Sequence, residues 1–273
     1  MQNSFVTDAI NLKSYNLSES DRIMVMYSKD KGLIRGVAKG VKKTKSKLGA
    51  RMDLLVANTL MLHKGRNLNT ICQAEVVNSF YKTRQDMDKI CYSMYVTEVV
   101  HNFGIEDDPC SEIVYNLLYK TLDTISTANS KVEILLAVIK FQLKMMIEAG
   151  FSIELDSCLC CHEAIQDETM YLVPQMGGIV CSHCAKNIPY NKKQMPYKLR
   201  DFFKQMSIND FEEKGEFEEK ANEKVCTVTF EVLKEYIIMK SPKKFHSTTI
   251  LQEIPVAWFY KTTRLFIKSI LFL

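Results

Sequence analysis

Four cysteines, Cys158, Cys161, Cys181 and Cys184, form two C-x2-C pairs with 19 residues between them. Two thiolates three residues apart on a tight turn can both reach one ion at about 2.3 Å, and two such turns complete a tetrahedron. The spacing reads as a zinc ribbon or knuckle holding one structural Zn2+, because four protein ligands leave no coordination position for a substrate. Gly177 and Gly178, just before the second pair, let the backbone fold close to the metal. Cys160 could in principle replace Cys161, although symmetry with the second pair favours Cys161. His162 and His183 read as bystanders or as donors to the sulfurs. Cys72, Cys91, Cys110 and Cys226 are dispersed and read as small buried hydrophobes.

A second chemistry lies upstream. Nine basic side chains fall between Lys29 and Arg51, with Asp30 the single acid among them. They are Lys29, Lys31, Arg35, Lys39, Lys42, Lys43, Lys45, Lys47 and Arg51, and Arg66 joins them from a later turn. Such a density of cations suits a polyanion, because each Lys or Arg that neutralises a phosphate releases a condensed counterion. The alternative is a solvated, solubilising loop. Lys43, Lys45 and Lys47 would act as point charges, whereas the planar guanidiniums of Arg35 and Arg51 could also stack on bases. The segment holds no Phe, Tyr or Trp; Phe5, Tyr15 and Tyr27 are the nearest and read as core. Capture is therefore expected to be electrostatic, and duplex as well as single strands become plausible ligands.

Composition sets the frame. The 273 residues suffice for two or three domains, and 47% apolar with 25% charged content is ordinary for a globular protein. A net charge of +4 conceals an asymmetry, since residues 1–80 carry 13 Lys and Arg against 6 Asp and Glu. The opening MQNSFVTDAI has no secretory pattern and no apolar run reaches the ~18–20 residues of a membrane span, so a cytoplasmic protein is expected. In that compartment clustered cysteines point to metal rather than disulfides.

The elements that would position these groups are of two kinds. Residues 5–12, 22–28, 33–38, 54–63 and 70–77 read as five short strands, with Lys29-Asp30-Lys31-Gly32 a hairpin connection. Five strands in some 75 residues suit an OB-fold, a partly open Greek-key barrel, with an SH3-like barrel as the alternative. Residues 89–103, 111–125 and 131–149 have helical periodicity, the last closed by Gly150, and 197–206 and 222–239 resume it. The fold expected is α+β. Its parts are an N-terminal barrel over 1–80, a helical domain over 81–153 and 191–254, the cysteine module over 154–190 between its halves, and an apolar tail over 255–273. The acidic stretch NDFEEKGEFEEK reads as an exposed loop.

These features, in this order, resemble the bacterial recombination-mediator and DNA repair family RecO. Three segments carry the resemblance: SESDRIMVMYSKDKGLIRGVAKGVKKTKSKLGARMD, LMLHKGRNLNTICQAEVV, and LDSCLCCHE with LVPQMGGIVCSHC. It implies an OB-fold, a helical domain and a zinc module that bind single- and double-stranded DNA and anneal complementary strands. It also implies contacts with RecR and with the C-terminal tail of single-strand-binding protein, and a role in loading recombinase on coated strands in the nucleoid. By resemblance, Arg35, Lys39 and the lysines after them match the family's basic face, and the four cysteines match its metal ligands. The tail IPVAWFYKTTRLFIKSILFL departs from the pattern, and its spaced Lys261, Arg264 and Lys268 would make a helix of it amphipathic.

An enzyme is not expected, as the chain shows no P-loop, no GxGxxG, no HExxH and no carboxylate cluster suited to two Mg2+ ions. An RNA-binding or ribosome-associated module is the competing class, since barrels and zinc ribbons serve RNA equally well.

Overall fold

The computed structural model describes residues 4–165, 169–208, 211 and 221–247. The chain falls into two compact units that divide between Ala128 and Asn129. The acidic stretch of 209–220, apart from Phe211, and the tail of 255–273 lie outside the described residues.

The first unit begins with β1 (Ser4–Asn16), β2 (Arg22–Ser28), β3 (Gly32–Ala38), β4 (Ala57–His63) and β5 (Asn69–Asn78). Their order is β1-β2-β3-β5-β4, and β1 pairs antiparallel with β4 to close a barrel. Only β3 and β5 run parallel, at Gly36–Asn69 and Val37–Thr70. This is the five-stranded OB topology that the strand count suggests. β1 is long because it serves two partners, β4 with its first half and β2 with its second, and a bulge after Asn11 bends it between them. Ala9, Met24, Met26, Ile34, Leu60, Leu62 and Ile71 fill the barrel.

The β2–β3 turn shows why glycine stands at position 32. Gly32 has φ +66°, and a Cβ there would meet the Ile105 carbonyl oxygen at 2.5 Å. The approach is close because the Leu33 amide donates to that carbonyl at 2.8 Å. Ile105 follows α1 (Met87–Phe103), which packs with α2 (Ser111–Thr127) in the same unit. Asp86 caps α1 by accepting from the Lys89 amide, and the Lys89 ammonium donates to the Ser126 carbonyl near the end of α2. Buried Tyr27 of the barrel donates to Asp108 between the helices at 2.7 Å. Thus the two helices following the barrel fold with it.

The second unit contains α3 (Lys131–Glu148), a sheet of order β7-β6-β8, then α4 (Tyr197–Ile208) and α5 (Glu223–Lys240). Ser130 caps α3 through the Glu133 amide, and the Glu133 carboxylate accepts from the Asn129 amide, a reciprocal arrangement close to a capping box. α3 and α5 run side by side in parallel. Lys131 pairs with Glu223 at their starts, and the Tyr236 hydroxyl donates to the Phe151 carbonyl at their ends. The sheet comprises β6 (Thr169–Val173), β7 (Gly178–Cys181) and β8 (Lys193–Pro196), so its third strand comes from beyond residue 190.

Replacing Gly32 with Ala adds a left-handed penalty of about 1–2 kcal/mol and a backbone clash. Gly32→Ala should lower the unfolding free energy by about 2 kcal/mol or more in urea titration.

Candidate nucleic-acid interface and metal centre

The cationic segment is a built loop. Val41 and Met52 are buried in the barrel core and Leu48 packs against it, while Lys39, Lys42, Lys43, Lys45 and Lys47 are exposed. Apolar residues thus anchor the loop at three points and turn the lysines to solvent. Polar groups hold its two ends. At the start, the Asp21 carboxylate accepts from the Gly40 amide at 2.7 Å and from the Ser20 hydroxyl at 2.9 Å. The Lys42 amide donates to the Ser20 carbonyl, and its ammonium donates to the Ser18 carbonyl, both at 3.1 Å. At the far end, buried Asn11 and Asn58 each donate to the Arg51 carbonyl at 2.9 Å, and Asn11 also donates to the Asp53 carbonyl at 2.8 Å. The Arg51 guanidinium itself donates to the Lys47 carbonyl.

Asp21 is the acid that matters here. The Gly40 amide, then the Ser20 hydroxyl and more weakly the positive charge of Lys43, hold its carboxyl below the usual carboxylate range.

The ten cations expected from sequence do not share one environment. Lys29 pairs with Glu112 at 3.1 Å and Arg35 with Glu106 at 3.5 Å, both partners coming from the helical part of the first unit. Exposed pairs of this kind contribute about 0–1 kcal/mol and can exchange partners. The Lys31 ammonium lies over the Phe5 ring, 5.4 Å from its centroid. Arg66 is exposed in the β4–β5 turn, and the neighbouring Lys64 lines a cleft with Lys31 and Arg35. Lys64 was missed, although it stands in the same Lys-Gly-Arg-Asn turn. A broader depression of about 700 Å3 runs beneath Lys47 and Arg51, floored by Val6, Leu48, Met61 and Val76.

Four of the expectations about environment need correcting. Tyr27 is fully buried, but Tyr15 is 45% exposed, with the Lys13 ammonium 5.3 Å from its ring centroid. Phe5 is only partly buried. Both lie on β1 where it leaves the barrel interior, one near each end. Cys72 is exposed and Cys110 half-buried, whereas Cys91 and Cys226 are buried; on β5 the inward position belongs to Ile71, so its neighbour points out.

In the second unit, the Sγ atoms of Cys158, Cys161, Cys181 and Cys184 all lie within 4.8 Å of one another. Four sulfurs at about 2.3 Å from one ion would stand some 3.8 Å apart, so the set is close to a metal-holding tetrahedron. Cys160 is not part of it, and His162 and His183 are exposed. The first pair sits on a knuckle that is closed by the His162 amide donating to the Cys158 carbonyl, with His162 at φ +60°. The second pair begins at Cys181, the last residue of β7, a strand in which a Cβ on Gly178 would collide with Glu154 at 2.7 Å. That close approach, bridging Glu154 to Gly178, brings the two knuckles together.

Backbone amides aim at the sulfurs. The Cys160 and Cys181 amides donate to Cys158 Sγ at 3.5 and 3.4 Å, and the Cys184 amide donates to Cys181 Sγ at 3.4 Å. Burial pushes the Cys158 thiol up, but these amides and that of Cys161 outweigh it and bring the group down to about 6. Cys184 is pushed the opposite way, above the ordinary thiol range, first by its hydrogen bond with Cys181, so Cys158 is favoured as thiolate before any ion binds and a cation would draw the other thiols into that form.

Asp21→Ala, which removes the acceptor, should release the Gly40 turn. In the wild type the hold is fully present above the ordinary carboxyl value of 3.8 and lost only as pH falls through the lowered folded value. Hydrogen exchange should therefore find the Gly40 amide protected at pH 4–7 and losing protection as pH falls below that range, and in the variant unprotected throughout. Equal protection in both proteins at pH 7 would show that the carboxylate does not hold the loop.

Comparison with known proteins agrees with this arrangement. Residues 1–80 match the model of the recombination protein O N-terminal region, and residues 84–246 match that of its C-terminal region. A relative from Dehalococcoides mccartyi named DNA repair protein RecO is 31% identical over 66% of this chain and 70% of its own length. Relatives of the same name from Desulforamulus reducens and Rubrobacter xylanophilus are 33% and 30% identical, over 65% and 68% of this chain and 68% and 74% of theirs. No helix among the described residues is long and apolar enough to cross a membrane. With both regions matched in order along most of its length, the chain belongs to the recombination protein O family.

Proposed function

We propose that this protein acts in DNA repair and recombination as a non-covalent mediator that binds single- and double-stranded DNA and brings complementary strands together. The observation that carries the reading is the loop of residues 39–51, a row of exposed lysines held at both ends on a closed barrel. Two strands repel through their phosphates. A fixed cationic surface neutralises that repulsion and releases counterions, while base edges stay free to pair. Bond chemistry is not needed for annealing, so no catalytic group is invoked. Lys39, Lys42, Lys43, Lys45, Lys47 and Arg51 form the main contact in this reading. Lys29, Lys31, Arg35 and Arg66 extend it, with Lys29 and Arg35 exchanging Glu112 and Glu106 for phosphate.

The four-cysteine centre fits one Zn2+. Four thiolates in tetrahedral disposition select zinc or iron, and zinc suits a closed structural site. Its role is to fold the two knuckles and tie them to the β6–β7–β8 sheet, because binding and folding free energy are shared at such a site. In the cytoplasm the protein would work beside RecR and the C-terminal tail of single-strand-binding protein, the partners that the family resemblance implies, to help load recombinase on coated strands.

Reversing Lys42, Lys43, Lys45 and Lys47 together to Glu should abolish annealing of complementary oligonucleotides. Exposed positions change stability by no more than ~0.5 kcal/mol each, so melting should shift little. For the wild type, log K against log salt should fall with a slope of about 0.7 per single-strand phosphate contacted, several units in all. Annealing that survives the four reversals, or affinity indifferent to salt, would place the DNA surface elsewhere. Tighter binding of structured RNA than of either DNA form at matched salt would favour an RNA role.

Removing zinc with a chelator should expose the amides of residues 154–196 to exchange and leave those of the barrel protected. One equivalent of Zn2+ per chain should restore them. Protection unchanged after verified zinc loss would rule out a scaffold role.

A further inference from the structure

At one mouth of the barrel, the start of β1, the start of β3 and the β4–β5 turn enclose a cleft of about 280 Å3. Lys31, Arg35 and Lys64 supply three cations to its wall against two carboxylates, Glu106 and Asp107, with Phe5 an aromatic ring and Asn67 and Asn69 two side-chain amides. Leu33 and Ile34 give it an apolar base. The elements around it are tied together, since the Asn69 amide donates to the Arg35 carbonyl at 3.0 Å. Arg35 also pairs with Glu106 on the opposite rim.

A convex row of lysines suits any polyanion. This cleft is chemically narrower, because it joins a flat apolar face to convergent positive charge within the space of one small ligand. The Lys31 ammonium lies over the Phe5 ring, 5.4 Å from its centroid, so a base stacking on that face would displace the ammonium toward the phosphate it carries. The matching chemistry is a planar base attached to a phosphate. Bases stack on aromatic side chains whatever their identity, and amides offer both donor and acceptor to base edges. The volume falls at the low end of small-ligand sites, which span ~300–1,000 Å3, and so admits a single nucleotide unit. Stacking on a protein ring requires a base free of its own helical stack, which excludes an intact duplex.

We propose that this cleft holds one unstacked nucleotide of single-stranded DNA, its base on Phe5 beside Asn67 and Asn69, and its phosphate between Lys31, Arg35 and Lys64. The inference rests on the DNA-binding reading above and adds to it a contact with bases, which annealing by charge alone does not require. Phosphate at Arg35 displaces Glu106 and trades one exposed charge pair for another, a small cost. The cleft then registers single strands and leaves duplex to the lysine loop.

The test compares a thymidine oligonucleotide with an abasic oligomer carrying the same number of phosphates. The wild-type protein should bind the base-bearing strand about tenfold more tightly, the yield of one stacked base. Phe5→Leu keeps an apolar side chain against the barrel core and should erase that preference, so that the two oligomers bind alike, whereas Phe5→Tyr keeps a ring and should retain it. A strand bearing 5-iodouracil, irradiated with the wild-type protein, should cross-link to the peptide containing Phe5. Equal affinity for both oligomers with a steep salt dependence, or cross-links confined to other peptides, overturns the nucleotide cleft alone. Binding of both oligomers that ignores salt overturns the electrostatic reading as well.

Discussion

Like charges crowded on one loop must be restrained against their own repulsion, and the first unit is arranged around that need. Six of the nine cations between Lys29 and Arg51 lie on the loop of residues 39–51, and a free chain of that composition would spread to separate them. Here Val41, Leu48 and Met52 pack into or against the barrel core, Asp21 grips the Gly40 amide, and Asn11 and Asn58 grip the Arg51 carbonyl. Each anchor uses a different physical term: apolar burial, a charge-assisted hydrogen bond, and buried side-chain NH2 groups donating to backbone carbonyls. The result is a cationic surface whose order is set before a ligand arrives, so less entropy is lost on binding.

The metal centre faces the same problem in negative charge. Four thiols within 4.8 Å would repel one another once ionised, and amide donors from Cys160, Cys181 and Cys184 would offset only part of that. A bound cation would offset the rest. In the proposed reading both sites therefore concentrate charge of one sign and take a counter-charge from outside the chain, phosphate in one and metal in the other. The difference lies in closure. Four sulfurs surround an ion and leave it no free position, whereas the barrel loop stays open along its length.

Much of the architecture was legible in the residues. Alternating apolar positions and turn residues located all five strands to within a few positions, and the two C-x2-C pairs located the sulfur cluster. Some features were legible in principle and went unread. Lys64 stands two residues from Arg66 in a turn already identified, yet only Arg66 was counted. The residue pattern marks a first strand over 5–12, whereas β1 runs from Ser4 through Asn16. A strand that serves two partners needs that extra length, and local pattern does not record how many partners a strand has.

Residue types and spacing by themselves determined a basic barrel of five short strands, helices after it, and four cysteines able to hold one ion. These follow from local terms: side-chain periodicity, backbone freedom at glycine, and the reach of thiolates on a turn. Tertiary structure alone decided which charges stand free and which are paired. Glu106 and Glu112 are remote in sequence from Arg35 and Lys29 but adjacent once α1 and α2 fold onto the barrel. It likewise decided that Phe5 and Tyr15 reach solvent while Tyr27 does not. Burial and pairing are properties of surfaces brought together from distant segments, and a linear sequence carries no measure of which surfaces meet.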